Sequence, residues 1–453
     1  MTKPDEPARP SVPSTAAEEA EQQVTLRSPA ELADALPYLL GFHPDDSIVM
    51  VALHGGRGRF GGRLRLGIPP ARQDWPAICE QLAETLLTGS DRRGARPDGV
   101  VVYLCQDPAP GQPAREVMRR LRPLAQRLRQ ECGRLGMPVF EALCISDGRF
   151  WSYCCPDTRC CPPDGTPVGL PGTSVMAAAA AYAGIEVRGT LRQMQARFEP
   201  VTGARADEQR RALDAAAAEL VPRILCDGDS EAVRRRTLDL ARAVVDRLHG
   251  TPPLADRSAS DARDDGLLTA TEAAGILLGL QDRVTRDRAA EWMEGERAQA
   301  VLRTWRALAR RCVPPFGEYA AAPVTLAGWV AWSTGDHPEA RVALGHALTV
   351  DPGYLFAQLL HRACNQGLDP EPLRSCLREE QAGRALHEAA HAEAERAATA
   401  DRARKPDRPR PGGRPGTRPR SARPGGPASP SGALRTRDGG DRRAARSRQD
   451  RRP

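Results

Sequence analysis

Two kinds of hydrophobic pattern divide the first third of the chain into strands and helices. Continuous apolar runs at 48–53 (IVMVAL) and 99–105 (GVVVYLC) are typical of strands that are buried on both faces. Asp147-Gly148 is a strong hairpin-turn signal between two shorter segments of strand character. The pattern predicts further strands at 59–68, 138–145 and 149–153, and helices at 28–39, 75–87 and 112–135. This order of elements predicts an α/β domain with a mixed sheet and flanking helices.

The first helix has clear signals at both of its ends. Ser28 can accept hydrogen bonds from the first-turn amides, and Pro29 suits the first helical position. Pro37 must bend or restart the helix, because proline lacks an amide hydrogen and clashes with the preceding turn. Gly41 is expected to end it in a left-handed conformation.

Strand patterns stop after residue 170, and helical periodicity takes over. It predicts helices at 206–220, 230–249, 269–294 and 299–312. Residues 325–360 then show Gly328 early in one helix, a Gly335-Asp336 turn, and a terminal Pro352 after a second helix. This hairpin resembles a tetratricopeptide repeat. Because a single copy cannot form a stable solenoid, we expect it to pack on the preceding helices.

The predicted fold is therefore an α/β domain followed by an all-α, repeat-like helical domain, with disordered tails. The predicted boundaries are a disordered segment 1–23, an α/β domain 24–170, a helical region 171–315, a tetratricopeptide-like region 316–378, a charged helix 379–400 and a disordered Arg/Pro/Gly-rich tail 401–453.

Charge and composition restrict the possible partners. The whole chain carries a net charge of +7, but residues 401–453 hold 17 basic and 5 acidic residues, so the remainder is mildly acidic. A nucleic-acid contact is therefore expected only through the basic tail, by charge and without sequence specificity. No segment has the apolar length of a secretory signal or a membrane span, so we expect a cytoplasmic protein. In that compartment the 12 cysteines are expected to be thiols, core residues or metal ligands.

The segment 154–161 (CCPDTRCC) carries the most unusual chemistry of the chain. Cys155, Cys160 and Cys161 lie on either side of a short loop, at a spacing that a zinc knuckle can use. The same spacing allows a disulfide across the loop, and simple packing of inert thiols also accounts for it. A closed tetrahedral zinc site would need a fourth ligand from elsewhere in the fold.

Two further segments hold candidate functional side chains. In HPDDS, His43 beside Asp45 and Asp46 could act as a general base, or these residues could only turn the chain. The loop enters a strand from its N-terminal end, whereas ligand sites in α/β folds usually lie beyond the carboxyl ends, which favours the turn.

The second such segment is 147–153 (DGRFWSY). Alternation puts Arg149, Trp151 and Tyr153 on one face of a strand that follows Asp147. These four residues could line a ligand pocket or a partner surface, and the alternative is a half-buried strand face.

Four separated stretches together resemble a known family. They are LPYLLGFHPDDSIVMVAL, GRFWSYCCPDTRCCPPDGTPV, LLGLQDRVTRDRAA and APVTLAGWVAWSTGDHPEARVALGHALTVDPGYLFAQLLHRACNQGLDP, in this order. The chain resembles the actinobacterial family known as domain of unknown function 4192 over roughly residues 24–378. The resemblance implies a cytosolic bacterial protein with an α/β front and a helical back, and it implies no activity.

The sequence favours a non-enzymatic interaction or regulatory protein that binds a protein partner through its helical half. No complete catalytic motif is present, and the helical hairpin is typical of partner-binding modules. One alternative is an enzyme or small-ligand binder with a pocket in the α/β domain near the Cys-rich loop, with structural zinc. Another is weak nucleic-acid binding through the basic tail.

Overall fold

A mixed sheet with flanking helices forms the first half of the chain in the computed structural model. The structure describes Leu26 and residues 28–404, except positions 57, 93, 158, 170–171 and 226–229. Within these residues the sheet has six strands in the order β2-β1-β3-β4-β5-β6. The strands are β1 Ser47–His54, β2 Arg59–Gly67, β3 Gly99–Cys105, β4 Val139–Ser146, β5 Arg149–Ser152 and β6 Thr166–Pro167. Of the neighbouring pairs, β3 and β4 run parallel, and the others are antiparallel.

Both faces of the sheet are covered, which explains the continuous apolar runs of β1 and β3. Ile48 and Met50 face the helices α2 (Trp75–Asp91) and α3 (Ala114–Arg134). Val49 and Val51 face α1 (Pro29–Leu40) on the other side. A strand covered on both faces cannot alternate apolar and polar residues, so the sequence prediction of buried strands is confirmed.

The predicted ends of α1 are also confirmed. The Ser28 hydroxyl accepts from the Glu31 amide at 3.2 Å, and Gly41 ends the helix with φ of +84°. Gly41 is also a packing position, because a Cβ there would lie 2.3 Å from Cγ of Pro338. This contact brings the end of α1 against the start of a helix almost 300 residues later in the chain.

The second half of the described chain is helical. Its helices are α4 Val175–Tyr182, α5 Leu191–Ala196, α6 Ala204–Leu225, α7 Ser230–His249, α8 Arg257–Gly266, α9 Ala270–Gly279, α10 Arg283–Ala289, α11 Ala298–Arg310, α12 Ala321–Ser333, α13 His337–Val350, α14 Leu355–Asn365 and α15 Glu371–Arg404. Helix α12 is buried along its whole length, and α13 packs along it after a short turn. A Cβ on Gly328 would lie 2.7 Å from Cγ of Leu344, so the glycine sets this close approach. The hairpin packs on earlier helices as expected, and its identity as a tetratricopeptide repeat stays a prediction.

The single helix predicted at 269–294 is wrong. The structure has two helices there, α9 and α10, followed by a 3-10 turn. A Cβ on Gly279 would lie 2.1 Å from Oγ1 of Thr237, so the chain passes α7 closely at this point. Asp282 then caps a new helix by accepting from the Thr285 amide at 2.9 Å.

Helix α8 was missed because its sequence, RSASDARDDG, is polar. Its acidic residues are nevertheless buried, because α11 places arginines against them. The Arg303 guanidinium donates two hydrogen bonds to Asp264, at 2.8 and 2.5 Å, and Arg310 pairs with Asp265 at 2.9 Å. Paired in this way, charges can be buried that would be costly alone.

The chain divides into two compact units, Met1–Glu388 and Ala389–Pro453. The sheet and the helices as far as residue 388 belong to the first unit, and the second contains the end of α15. The predicted segment 1–23 and residues 405–453 of the predicted tail, with their proposed nucleic-acid contact, lie outside the described residues. Within the described residues, every helix is either too short or too polar to cross a bilayer.

Candidate functional site

The Cys-rich loop leaves the sheet at the end of β5 and returns to it at β6. The Ser152 hydroxyl accepts from the amides of Cys154 and Cys155, at 3.1 and 2.9 Å, and starts the turn. The Cys161 amide donates to the Asp157 carbonyl at 2.9 Å, which closes the loop. Local hydrogen bonds thus fold the loop back on itself and bring Cys155 close to Cys160 and Cys161.

The three cysteines predicted as metal ligands lie close together. The Sγ atoms of Cys155, Cys160 and Cys161 all lie within 4.8 Å of one another, the one such group of potential metal ligands among the described residues. Sγ of Cys160 lies 2.9 Å from Sγ of Cys155 and 3.7 Å from Sγ of Cys161. Two thiolates on a tetrahedral zinc are about 3.8 Å apart, given Zn–S bonds of about 2.3 Å. One of the two separations already matches that geometry.

The three thiols influence one another's ionisation. A hydrogen bond from Cys160, followed by contact with the Asp157 backbone, lowers the pKa of Cys155. Desolvation raises the pKa of Cys161 to about 12, and the hydrogen bond with Cys155 raises the pKa of Cys160. Cys155 is therefore the first thiol to ionise, and a bound cation would be needed to hold all three as thiolates.

Among the described residues, the neighbours of the three thiols supply no fourth ligand. The Asp157 carboxylate is held by Arg159, which donates through its amide at 2.9 Å and its guanidinium at 3.3 Å. The Cys154 side chain is half-buried against the α2–α3 side of the sheet, away from the other three thiols. The described residues thus bring three potential thiol ligands together, whereas a tetrahedral zinc site takes four ligands.

Two of the four residues predicted to line a ligand pocket, Trp151 and Arg149, anchor this loop. Trp151 is buried and its indole N–H donates to the Pro163 carbonyl at 3.1 Å. The Arg149 guanidinium donates to the Gly165 carbonyl at 3.0 Å. Both contacts hold the returning half of the loop, so the strand face positions the thiols.

The other two members of that predicted set lie elsewhere. The Tyr153 hydroxyl donates to the Met118 carbonyl of α3 at 2.7 Å. Asp147 adopts a φ of +50° in the hairpin turn, and its amide donates to the Asp107 carboxylate at 2.7 Å. The structure therefore separates Asp147 from the loop and joins it to the end of β3.

The loop containing His43 is held by the segment that precedes α5. The His43 amide donates to the Gly189 carbonyl at 2.8 Å, and the His43 carbonyl accepts from the Leu191 amide at 2.9 Å. Burial lowers the pKa of His43, and the nearby Asp45 carboxylate partly opposes this effect. In the described part of the chain no carboxylate hydrogen-bonds to the His43 ring, so the structure does not show the pairing that a general base would use.

Asp45 and Asp46 both bind the same arginine. Asp45 accepts from the Arg192 amide at 2.7 Å, and Asp46 accepts from the Arg192 guanidinium at 2.9 Å. Asp46 also accepts from the Gln106 side chain at 3.0 Å. These contacts give the two carboxylates a structural role between β1, the end of β3 and α5.

The sequence prediction that this loop lies away from the carboxyl ends of the strands is wrong. Because β1 is antiparallel to β3, Ser47 pairs with Cys105, and Cys105 pairs in turn with Ile145 of the parallel strand β4. The loop before β1 therefore lies at the carboxyl ends of β3 and β4, where ligands of α/β folds usually bind. The sequence could not show this, because it does not give strand direction.

A comparison with protein families matches residues 29–371 to the domain of unknown function DUF4192. The chain belongs to this family. A search of curated proteins and a search of solved structures returned no match. Family membership thus gives this DUF4192 protein no activity, and its chemistry must be argued from its own side chains.

One group of residues in the DUF4192 chain was missed at the sequence level. Arg63 and Arg65 alternate along β2. Beside burial and the charge of Arg341, Arg63 helps to lower the pKa of His337 on α13, and Arg65 helps to lower the pKa of His361 on α14. The alternating arginines of RFGGRLRLG were the available signal. Their partners lie more than 270 residues away in the chain, and nothing in the local pattern connects them.

Proposed function

We propose that this protein binds a thiophilic divalent metal ion, of which Zn²⁺ is the best fit, through Cys155, Cys160 and Cys161. The observation that carries the proposal is the convergence of the three Sγ atoms within 4.8 Å. Thiolates favour Zn²⁺ over Mg²⁺ and Ca²⁺, which prefer oxygen ligands. Binding would displace the protons of the three thiols, so loading should fall as the pH falls.

The anchoring of the loop supports a site that exists before the metal arrives. Ser152 fixes the start of the loop, and Trp151 and Arg149 fix its return. A donor set held by such contacts binds metal more tightly than a flexible one, because less chain entropy is lost. The open fourth position would accept water or a small external ligand, so the ion could either stabilise the loop or act as a Lewis acid.

Metal analysis of the purified reduced protein tests the proposal. Wild type should bind one Zn²⁺ per chain, and Co²⁺ should give the intense charge-transfer absorption of thiolate ligands. Cys160→Ser should lose both signals because it removes the thiol in contact with the other two. Cys154→Ser is the matched control, since it changes the adjacent thiol, and Cys376→Ser changes an exposed thiol of α15. Absence of bound metal in reduced wild type, or equal loss in the Cys154 control, would reject the site.

The separation between Cys155 and Cys160 favours one alternative to metal binding, a disulfide between these two residues. At 2.9 Å it lies between the spacing on a zinc ion and the bond length of a disulfide, about 2.05 Å. With glutathione disulfide as oxidant, the two thiols would lose two protons and two electrons, and two glutathione thiols would form. Mass spectrometry after this treatment should find a Cys155–Cys160 bond in metal-free protein, and bound Zn²⁺ should slow its formation.

The protein-partner role of the helical half has one observation in its favour. Leu355 and Leu359 are one turn apart on α14 and expose 59% and 57% of their surface. Helix α12, by contrast, is fully buried and cannot line a groove. If α14 is the docking face, Leu355→Glu with Leu359→Glu should lose any partner that the full-length wild type retains. A partner that binds both proteins equally would place the contact elsewhere.

A further inference from the structure

The number of thiols in the Cys-rich loop suits an ion that forms three bonds. The Sγ atoms of Cys155, Cys160 and Cys161 lie together, and no fourth potential ligand joins them among the described residues. A tetrahedral zinc ion must find its fourth ligand outside this set. An ion that forms three bonds to sulfur and no others would use the three thiols as they stand.

A turn allows two neighbouring residues to contribute to this site. In a strand, the side chains of adjacent residues point to opposite faces. Cys160 and Cys161 lie in a turn instead, and their Sγ atoms are 3.7 Å apart. Cys155 approaches from the other side of the loop, and its Sγ lies 2.9 Å from that of Cys160. Since all three Sγ atoms are within 4.8 Å of one another, they form a compact triangle.

One side of the triangle is shorter than zinc requires. Two thiolates on a tetrahedral zinc ion are about 3.8 Å apart. The Sγ atoms of Cys155 and Cys160 are 2.9 Å apart. Trivalent arsenic carries a lone pair in place of a fourth ligand, and its bond angles are smaller than tetrahedral angles. Its three sulfur ligands therefore lie closer together than those of zinc, in agreement with the shorter separation.

The loop is closed by contacts that do not involve the thiol protons. The Cys161 amide donates to the Asp157 carbonyl, and the Cys155 amide donates to the Ser152 hydroxyl, both at 2.9 Å. The thiols of Cys155 and Cys160 contact the same carbonyl at 4.0 and 3.5 Å, and these weaker contacts are lost when the thiol protons leave. The backbone contacts remain, so little chain entropy is lost when an ion binds.

A small neutral molecule can reach the thiols. Cys160 is exposed, and Cys155 and Cys161 are partly exposed. The two charged side chains between the cysteine pairs, Asp157 and Arg159, form an ion pair with each other at 3.3 Å. Arsenous acid, an arsenic atom with three hydroxyl groups, is uncharged at neutral pH. It therefore needs no charged group to bring it to the loop.

We propose that Cys155, Cys160 and Cys161 bind trivalent arsenic, taken up as arsenous acid, through three arsenic–sulfur bonds. The inference rests on the thiol site of the proposed function and names a second class of ligand for it. Each thiol replaces one hydroxyl group: an arsenic–sulfur bond forms, an arsenic–oxygen bond breaks, and the thiol proton leaves with the hydroxyl as water. Three waters are released, and neither arsenic nor sulfur changes its oxidation state. Thiol ligands favour soft ions of this kind.

Native mass spectrometry of the full-length protein with sodium arsenite tests the number of bonds. The protein is kept reduced with a phosphine, because a dithiol reductant would itself bind arsenic. The three-bond product should gain the mass of one arsenic atom and lose the mass of three hydrogen atoms. A two-bond product would keep one hydroxyl group on arsenic, and its appearance as the sole product of wild type would overturn the proposal.

Single variants show which thiols form the bonds. Cys155→Ser, Cys160→Ser and Cys161→Ser should each abolish the three-bond product and weaken arsenite binding about a hundredfold, because one intramolecular bond is lost. Cys154→Ser changes the adjacent thiol and Cys376→Ser changes an exposed thiol of α15, so both are matched controls that should form the three-bond product as wild type does. Equal loss in the Cys154 control, or unchanged binding in Cys160→Ser, would contradict the assignment.

Zinc measurements on the same samples separate this inference from the proposed function. Arsenite should release bound Zn²⁺ from wild type, because both ions use the same three thiols. A protein that binds Zn²⁺ but forms no three-bond arsenic product overturns the inference alone. A protein that forms this product but binds no Zn²⁺ overturns zinc binding and supports the inference, and a protein that does neither rejects both.

Discussion

Single residues in this protein serve packing as much as local conformation, and Gly41 shows the difference. Its place after an apolar helix predicted the left-handed C-cap, and the structure confirms it. Its contact with Pro338 could not be predicted from the sequence, because α13 is distant in the chain. The same holds for Trp151, whose strand face was predicted but whose indole partner was not.

Gly41→Ala should destabilise the protein by about 2–4 kcal/mol. The alanine would be strained at φ of +84°, costing about 1–2 kcal/mol, and its Cβ would collide with Pro338, which adds about 1–2 kcal/mol. Gly55→Ala is the matched control, because Gly55 has φ of +73° and nothing within 4 Å of its Cβ. Denaturant unfolding of both variants measures the difference, and equal losses would show that the Pro338 contact costs nothing.

Trp151→Phe should weaken Zn²⁺ binding about tenfold while leaving most of the fold's stability intact. The phenyl ring keeps much of the burial, but the hydrogen bond to the Pro163 carbonyl is lost, and the thiol loop is less well held. Trp75→Phe is the control, since Trp75 is also buried and donates to the Pro69 carbonyl at the same 3.1 Å, far from the thiols. Competition with a chelator gives the two affinities. A similar loss in both variants would mean that the effect is general.

At the scale of elements, apolar patterns predicted well and polar buried contacts did not. The β4–β5 hairpin and helix α3 follow from an Asp-Gly turn and a regular apolar stripe. Helix α8 has neither signal, and it is held by arginines of α11 instead. Periodicity records which residues avoid water, and a buried charge pair does so without an apolar side chain.

Arg303→Met should destabilise the helical half by about 3–5 kcal/mol, because Asp264 would remain buried without its partner. Adding Asp264→Leu should recover part of the loss by removing the unpaired charge. Arg210→Met is the control, since Arg210 and Asp207 form an exposed pair whose loss should cost about 0–1 kcal/mol. Chemical unfolding of wild type, Arg303→Met, the double variant and Arg210→Met measures these differences in stability. A double variant as unstable as the single one would show that the network contributes through packing alone.

The whole molecule should lose stability as the pH falls through about 6.5. Burial lowers the pKa of His43, His337, His346 and His361 below the ordinary value of 6.5. On acidification these histidines bind protons in the unfolded chain before they do so in the folded chain, so folding becomes less favourable. Carboxylates with a lowered pKa, such as Glu272 at about 2, also stabilise the fold, but this stabilisation is lost only below about pH 4.5.

Thermal melting at pH values from about 8 to about 5.5 measures this effect without interference from those carboxylates. Replacing His361 by Asn should flatten the curve, because one source of the difference in bound protons is removed. An unchanged slope in that variant, or a wild-type melting temperature that rises on acidification, would contradict the assignment.

The sequence by itself determined most of the elements, the buried strands, the closeness of the cysteines in the chain and the family. These features depend on neighbours in the chain, where side-chain periodicity, turn residues and caps act directly. Only the tertiary structure decided that the loop before β1 lies at the carboxyl ends of β3 and β4, and that Trp151 anchors the thiol loop. Strand direction and the docking of distant helices depend on the packing of the whole apolar surface, which no local pattern records.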